Sequence, residues 1–180
     1  MPDRLAQVAI FLTDTLLGIY MIALWLRIIL QVVRADFYNP ISQLVWKVTQ
    51  PPVMLLGKLI PRWRNIDIAA LLLVWLVSVL NIYLQLTFRG ADIPLASLFF
   101  WAAYKAVISL LWLYIASIFV QAILSWVNPS PNPLASILWS INEPLIRPVR
   151  RFLPPTGGID WSPMVVLMGL YVLMILLQPF

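Results

Sequence analysis

Apolar side chains fill the chain in long runs, and two polar, proline-rich stretches interrupt them. The run from Thr15 to Val33 is 19 residues long with a single charge, Arg27. At about 1.5 Å per residue that length just crosses a hydrocarbon core of roughly 30 Å, so the pattern predicts a first transmembrane helix over 15–33. A second is predicted over 68–88, closed by Arg89 and by Gly90 as a C-terminal stop. A short turn with Asp92 and Pro94 leads into an apolar segment over 98–127, which exceeds the bilayer and must tilt or protrude. Lys105, about two turns from its start, can snorkel outward. A fourth span is predicted over 161–179. The first run is longer than the apolar region of a signal peptide, Asp14 precedes it, and Arg34-Ala35-Asp36 makes a poor cleavage site. It is expected to stay attached.

The interrupting stretches are copies of each other. Asn39 to Asp67 and Asn132 to Asp160 align at an offset of 93 positions without a gap. Asn39/Asn132, Pro40/Pro133, Trp46/Trp139, Pro51/Pro144, Pro61/Pro154, Ile66/Ile159 and Asp67/Asp160 are identical, where about two matches would arise by chance from average composition. The chain therefore reads as two repeats, 1–90 and 91–180. Each is a transmembrane helix, a hairpin (39–61 and 132–154) and a second transmembrane helix.

Within each copy, Asn39-Pro40 and Asn132-Pro133 supply an N-cap acceptor and a proline at the first helical position, where its missing N–H costs nothing. Ile41, Leu44, Val45 and Val48, and in the second copy Leu134, Ile137, Leu138 and Ile141, are spaced as one buried face. Pro51 and Pro144 are expected to break each helix after about ten residues, with Thr49 and Asn142 available to cap a second piece. In the second copy that piece puts Leu145, Ile146, Val149 and Phe152 on one side and Arg147, Arg150 and Arg151 on the other. Pro61 and Pro154 end the unit. Asp67 and Asp160 then stand where the next span begins, and there a carboxylate accepts free backbone N–H groups. Pieces this short cannot cross a bilayer, so each hairpin is expected to lie in the interface as a broken amphipathic pair, with a re-entrant loop as the alternative.

Composition narrows the chemistry. The chain is 62% hydrophobic and 11% charged, with a mean hydropathy of +0.92, more apolar surface than a soluble domain of this size can hide. Its net charge of +5 is thinly spread, which points to anionic lipid head groups rather than direct nucleic-acid binding. With no Cys and no His there is no disulfide framework, no thiolate or imidazole metal site, and no Ser/His or Cys/His catalytic pair. No catalytic, cofactor-binding or metal residues are assigned. An enzyme is not expected.

Charge also orients the chain. The two repeat loops carry Arg34, Lys47, Lys58, Arg62, Arg64, Arg147, Arg150 and Arg151, whereas the other side has Arg4 and Arg89. By the positive-inside rule the loops are cytoplasmic and both termini lie outside. Trp46, Trp63, Trp126, Trp139 and Trp161 would form a belt on the cytoplasmic side. An even number of spans per repeat gives the halves one orientation, as in parallel pseudo-symmetric repeats.

The duplicated NP motif, the proline-interrupted segment after it, IPRWRNID at Ile60 to Asp67 and LPPTGGIDWSP at Leu153 to Pro163 resemble the YggT family of small integral membrane proteins over nearly the whole chain. LRIILQVV at Leu26 to Val33 and VQAILSWV at Val120 to Val127 resemble the arginine-bearing helix end of that family. The second copy carries Gln121 where the first has Arg27, and its loop is one residue shorter. On this reading the chain uses that arginine once. The resemblance implies an all-α protein of a bacterial inner membrane or plastid without a settled activity. Members have been linked to assembly of membrane complexes, including plastid cytochrome biogenesis, to cell division and nucleoid organisation, and to osmotic or ion stress.

Two readings of Arg27 stand side by side. It can snorkel to the interface, or it can pair inside the membrane with Asp67, Asp160 or Glu143. Asp160 is the expected partner of the three, since a link across the repeats would explain why one arginine suffices. Arg147, Arg150 and Arg151 read as a solvated or lipid-facing stripe, and Gly157-Gly158 as a flexible turn. For function, a scaffold or assembly factor that meets lipids and other membrane proteins is expected ahead of a small channel or transporter. Asn81, Gln85, Ser109, Ser117, Gln121 and Ser125 offer little from which to line an aqueous path and are commonly helix-packing groups. A homo-oligomer stays open.

Overall fold

The computed structural model describes residues 4–60, 66–127, 132–153 and 160–178, with the backbone alone at 126 and 127. Among them the chain is all-helical: α1 (Arg4–Val32), α2 (Pro40–Gly57), α3 (Ile68–Arg89), α4 (Leu95–Val127), α5 (Pro133–Phe152) and α6 (Ser162–Leu177). Three helices, α1, α3 and α4 as far as Ser125, are long and apolar enough to cross a membrane. The predicted fourth span is a shorter apolar helix of 16 residues. α1 starts eleven residues before the predicted span because Leu5, Val8 and Leu12 continue its helical pattern without a breaker. α3 ends as predicted, on Gly90 at φ 63°, ψ 33°, where the absence of Cβ makes the left-handed conformation inexpensive.

α2 and α5 correct the expectation of broken hairpins. Each is continuous, with Pro51 and Pro52 inside α2 and Pro144 and Pro148 inside α5. A proline removes one donor from the ladder but leaves the turns on either side intact, and a helix with tertiary partners absorbs that loss. Thr49 accordingly caps nothing; its hydroxyl donates to the Val45 carbonyl at 2.6 Å. Asn142 likewise sits buried in mid-helix. Pro61, Pro154, Trp63 and Gly157-Gly158 lie outside the described residues.

The buried face of α2 is rotated from the predicted one. Ser42, Val45, Thr49 and Val53 are buried, whereas Leu44 and Val48 are about half exposed. On α5 the expectation holds at Ile137, Leu138 and Ile141, but Leu134 and Phe152 face outward.

The chain forms two compact units, Met1–Ile28 with Val45–Leu110, and Ile29–Leu44 with Leu111–Phe180. In the first, Met21, Leu24 and Ile28 of α1 pack with Val53 of α2, Ala69, Ala70, Val74 and Val77 of α3, and Ala106 of α4. The three alanines let the helix backbones approach closely. Ser78 donates to the Val74 carbonyl at 2.9 Å and lies 3.0 Å from the Met21 sulfur. In the second unit Ile118, Ile146 and Val166 form the core with Leu145, Val149, Leu167 and Leu170 around them. There the two NP motifs meet. Asn39 Nδ2 donates to the Pro133 carbonyl at 2.8 Å while its Oδ1 accepts from Ile41 N. Asn132 caps α5 through Ala135 N at 2.8 Å. Pro40 and Pro133 each occupy the first helical position, as the sequence predicts.

Candidate functional site: two arginine locks

An arginine on a transmembrane helix costs about 2.5–3.5 kcal/mol on insertion scales unless it is paired. Arg27 is paired. In the first unit its Nη2 donates to Asp67 Oδ2 at 3.3 Å and to Gln50 Oε1 at 2.8 Å, and its Nη1 donates to Thr49 Oγ1 at 3.2 Å. The guanidinium carbon lies 4.0 Å from the Trp46 ring centroid. The side chains of Arg27 and Asp67 are 2% and 3% exposed, so the ion pair is almost wholly buried. Asp67 also caps α3, its Oδ1 accepting from Ala70 N at 3.3 Å. Capping and pairing are thus one arrangement, each oxygen serving one role. Arg27 does not snorkel, and its partner is Asp67 rather than Asp160.

Asp160 is held by a different arginine. In the second unit Arg150 Nε donates to Asp160 Oδ2 at 2.9 Å, and Arg150 Nη1 lies 3.1 and 3.2 Å from the two Glu143 oxygens. Its guanidinium carbon is 5.4 Å from the Trp139 ring centroid. Asp160 Oδ1 accepts from Ser162 N at 2.9 Å at the start of α6. Burial acts to raise the Asp160 pKa, but the Ser162 N–H and Arg150 outweigh it and hold the carboxyl below its ordinary 3.8. Burial similarly disfavours the Arg150 cation, and Asp160 and Glu143 more than restore it.

The two sites answer each other position by position. Trp46 and Trp139, Gln50 and Glu143, and Asp67 and Asp160 are each 93 residues apart, the offset of the repeat. Both arginines touch all three. The expectation that this chain uses the arginine once is therefore corrected, because the second copy supplies its guanidinium from α5, at the position where the first copy has Gly57. The helix that follows the Arg27 pattern, α4, carries a neutral pair instead. Asn142 Nδ2 donates to Gln121 Oε1 and Ser117 Oγ to Asn142 Oδ1, both at 2.7 Å. Thr49 and Asn142 are again one offset apart, so each buries a polar contact to the preceding long helix.

The arginine stripe on α5 is correspondingly smaller. Arg147 and Arg151 are exposed, but Arg150 turns into the lock. Lys105, expected to snorkel, donates to Asp14 Oδ1 at 2.7 Å and to Asn81 Oδ1 at 2.6 Å. Gln85 joins them, its Nε2 donating to Asp14 at 2.9 Å and to Asn81 at 2.8 Å. Ser109 accepts from Trp25 Nε1 at 3.0 Å, and Ser125 is exposed. Sequence reasoning missed Asp14, Gln50 and the stacking of both tryptophans. The identity of Trp46 with Trp139 was the signal available for the last.

Comparison with known proteins finds one family twice along the chain. The CCB3/YggT family model matches residues 6–88 and again 100–180. The chain is 38% identical over 166 residues to the uncharacterized protein YggT of Escherichia coli K12, covering 91% of this chain and 85% of that protein. A Vibrio alginolyticus protein described as an uncharacterized protein in the proC 3'region is 36% identical, with coverages of 89% and 88%. An uncharacterized protein of Haemophilus influenzae is 34% identical, with 91% and 87%. No solved structure matches. Two family segments, three apolar helices of spanning length and these relatives together make the chain a membrane protein that belongs to the CCB3/YggT family.

Proposed function

We propose that the chain is a non-enzymatic scaffold or assembly factor of the bacterial inner membrane. Its four spans, α1, α3, α4 and α6, place both termini in the periplasm. α2 and α5 lie along the cytoplasmic interface, where Arg147 and Arg151 meet anionic head groups and partner membrane proteins dock. The observation that supports a scaffold over a channel or transporter is the closure of the polar groups in the first unit. Arg27 and Asp14 are 13 positions apart on α1, about 20 Å along the helix. Between them Met21, Leu24 and Val74 are at most 2% exposed. A water-lined path needs continuous polar lining, whereas this unit carries two separate polar clusters with a packed apolar layer between.

Affinity purification of the full chain from native membranes tests the reading. A stoichiometric membrane complex is expected. A clean homo-oligomer that conducts ions in liposomes would replace the scaffold with the channel.

A further inference from the structure

The exchange of Gly57 for Arg150 between the repeats leaves a vacancy in the first unit. There, a cavity of about 500 Å³ opens beside the Arg27 lock. Gly57 is on its wall, and a Cβ built on Gly57 would meet nothing within 4 Å. The space that the second copy gives to the Arg150 side chain is open in the first. Its size is that of a pocket for a small ligand or a head group.

The wall is amphiphilic. Arg27, Gln50 and Asp67 line it together with Val53 and Met54, and Lys58, just past the end of α2, completes it. Lys58 is exposed and makes no ion pair among the described residues. Arg27 and Lys58 against Asp67 leave the wall with one net positive charge, so an anion is favoured over a second cation. Val53 and Met54 add an apolar strip beside the charges, which a free inorganic ion would leave uncovered. We propose that this cavity binds one phospholipid, its phosphodiester beside Lys58 and the Arg27 guanidinium, the polar end of its head group toward Gln50 and Asp67, and acyl chain against Val53 and Met54. The shared chemistry is that of any phosphate, and the apolar strip selects the lipid.

The proposal rests on the reading that this end of α2 lies at a membrane interface, and it deepens that reading by assigning the site one lipid. The full chain, purified in detergent, is titrated with short-chain phosphatidylglycerol and followed by native mass spectrometry. One lipid per chain is expected. Gly57→Leu, which fills the open space without touching the lock, should abolish retention, and Lys58→Gln should weaken it about fivefold. Arg147→Gln with Arg151→Gln should leave this site unchanged, so a loss confined to that pair would speak for α5 as the lipid-binding element and overturn the cavity. Equal retention by wild type, Gly57→Leu and Lys58→Gln would overturn it as well. Displacement of the lipid by millimolar inorganic phosphate alone would assign the site to a free anion and refute the lipid.

Discussion

Arg27 and Asp67 form an ion pair at 3.3 Å with both side chains at most 3% exposed. Desolvating two charges is costly, and what returns the cost here is the remaining set of contacts: Thr49, Gln50, Trp46 and the cap on α3. A pair of this kind is expensive to break on one side only, because the partner is left charged and buried.

Arg27→Leu should therefore destabilise the detergent-solubilised full chain by about 3–5 kcal/mol in a denaturant titration. Arg27→Lys should fall between, since an ammonium keeps the charge but cannot reach Asp67, Gln50 and Thr49 with one planar fork. Adding Asp67→Asn to Arg27→Leu should restore part of the loss. A silent Arg27→Leu would show that the pair contributes nothing.

The second repeat supplies its own suppressor. Gly57 stands where Arg150 stands one offset later, and its Cβ direction is open. Arg27→Leu with Gly57→Arg should recover much of the stability lost in Arg27→Leu, by delivering a guanidinium to Asp67 and Gln50 from α2. Equal stability of the single and double variants would refute the equivalence of the two sites.

The Arg150–Asp160 lock should be pH-sensitive. Asp160 is held below 3.8 in the folded chain, so its contribution is fully present above the ordinary carboxylate value and is lost as pH falls through the lower folded one. Glu143 shares the same arginine. The stability difference between wild type and Asp160→Asn should be constant from pH 7 to about 5 and shrink toward pH 3. Because Arg150 and Asp160 are 27% and 31% exposed, solvent screening makes this effect smaller than that of the Arg27 lock. A difference independent of pH would show that the Asp160 charge is not coupled to folding.

Topology is tested by fusions. Reporters after Phe180 and within Ile93 to Ser97 should read periplasmic, and those at Trp63 or Gly157 cytoplasmic. Opposite readings for the two loops would refute four spans in two parallel repeats.

Most of the helical plan was legible because it rests on period and punctuation. The three long apolar runs, the left-handed Gly90 and the caps at Asn39, Asn132 and Asp67 each follow from local chemistry. The continuity of α2 and α5 was not legible. Whether Pro51 or Pro144 ends a helix depends on tertiary partners that a linear pattern does not contain. The rotated face of α2 has the same origin: Thr49 reads as a cap for a second helical piece, yet it is buried and accepts a hydrogen bond from Arg27. Alignment at one offset also hid the second lock. It placed Val120 opposite Arg27, next to the Gln121 of the matching motif, while the substitute guanidinium lay 30 positions beyond Val120 at Arg150.

That displacement constrains how two copies of one unit can diverge. A guanidinium cannot move from α1 to the hairpin helix in one substitution, so the change passes through a chain with either two cations around one aspartate or none. The first intermediate is overcharged yet keeps its aspartate satisfied; the second strands it. Gain before loss is the order that strands no charge, and in the second copy the long helix meets α5 through the neutral Gln121–Asn142 contact.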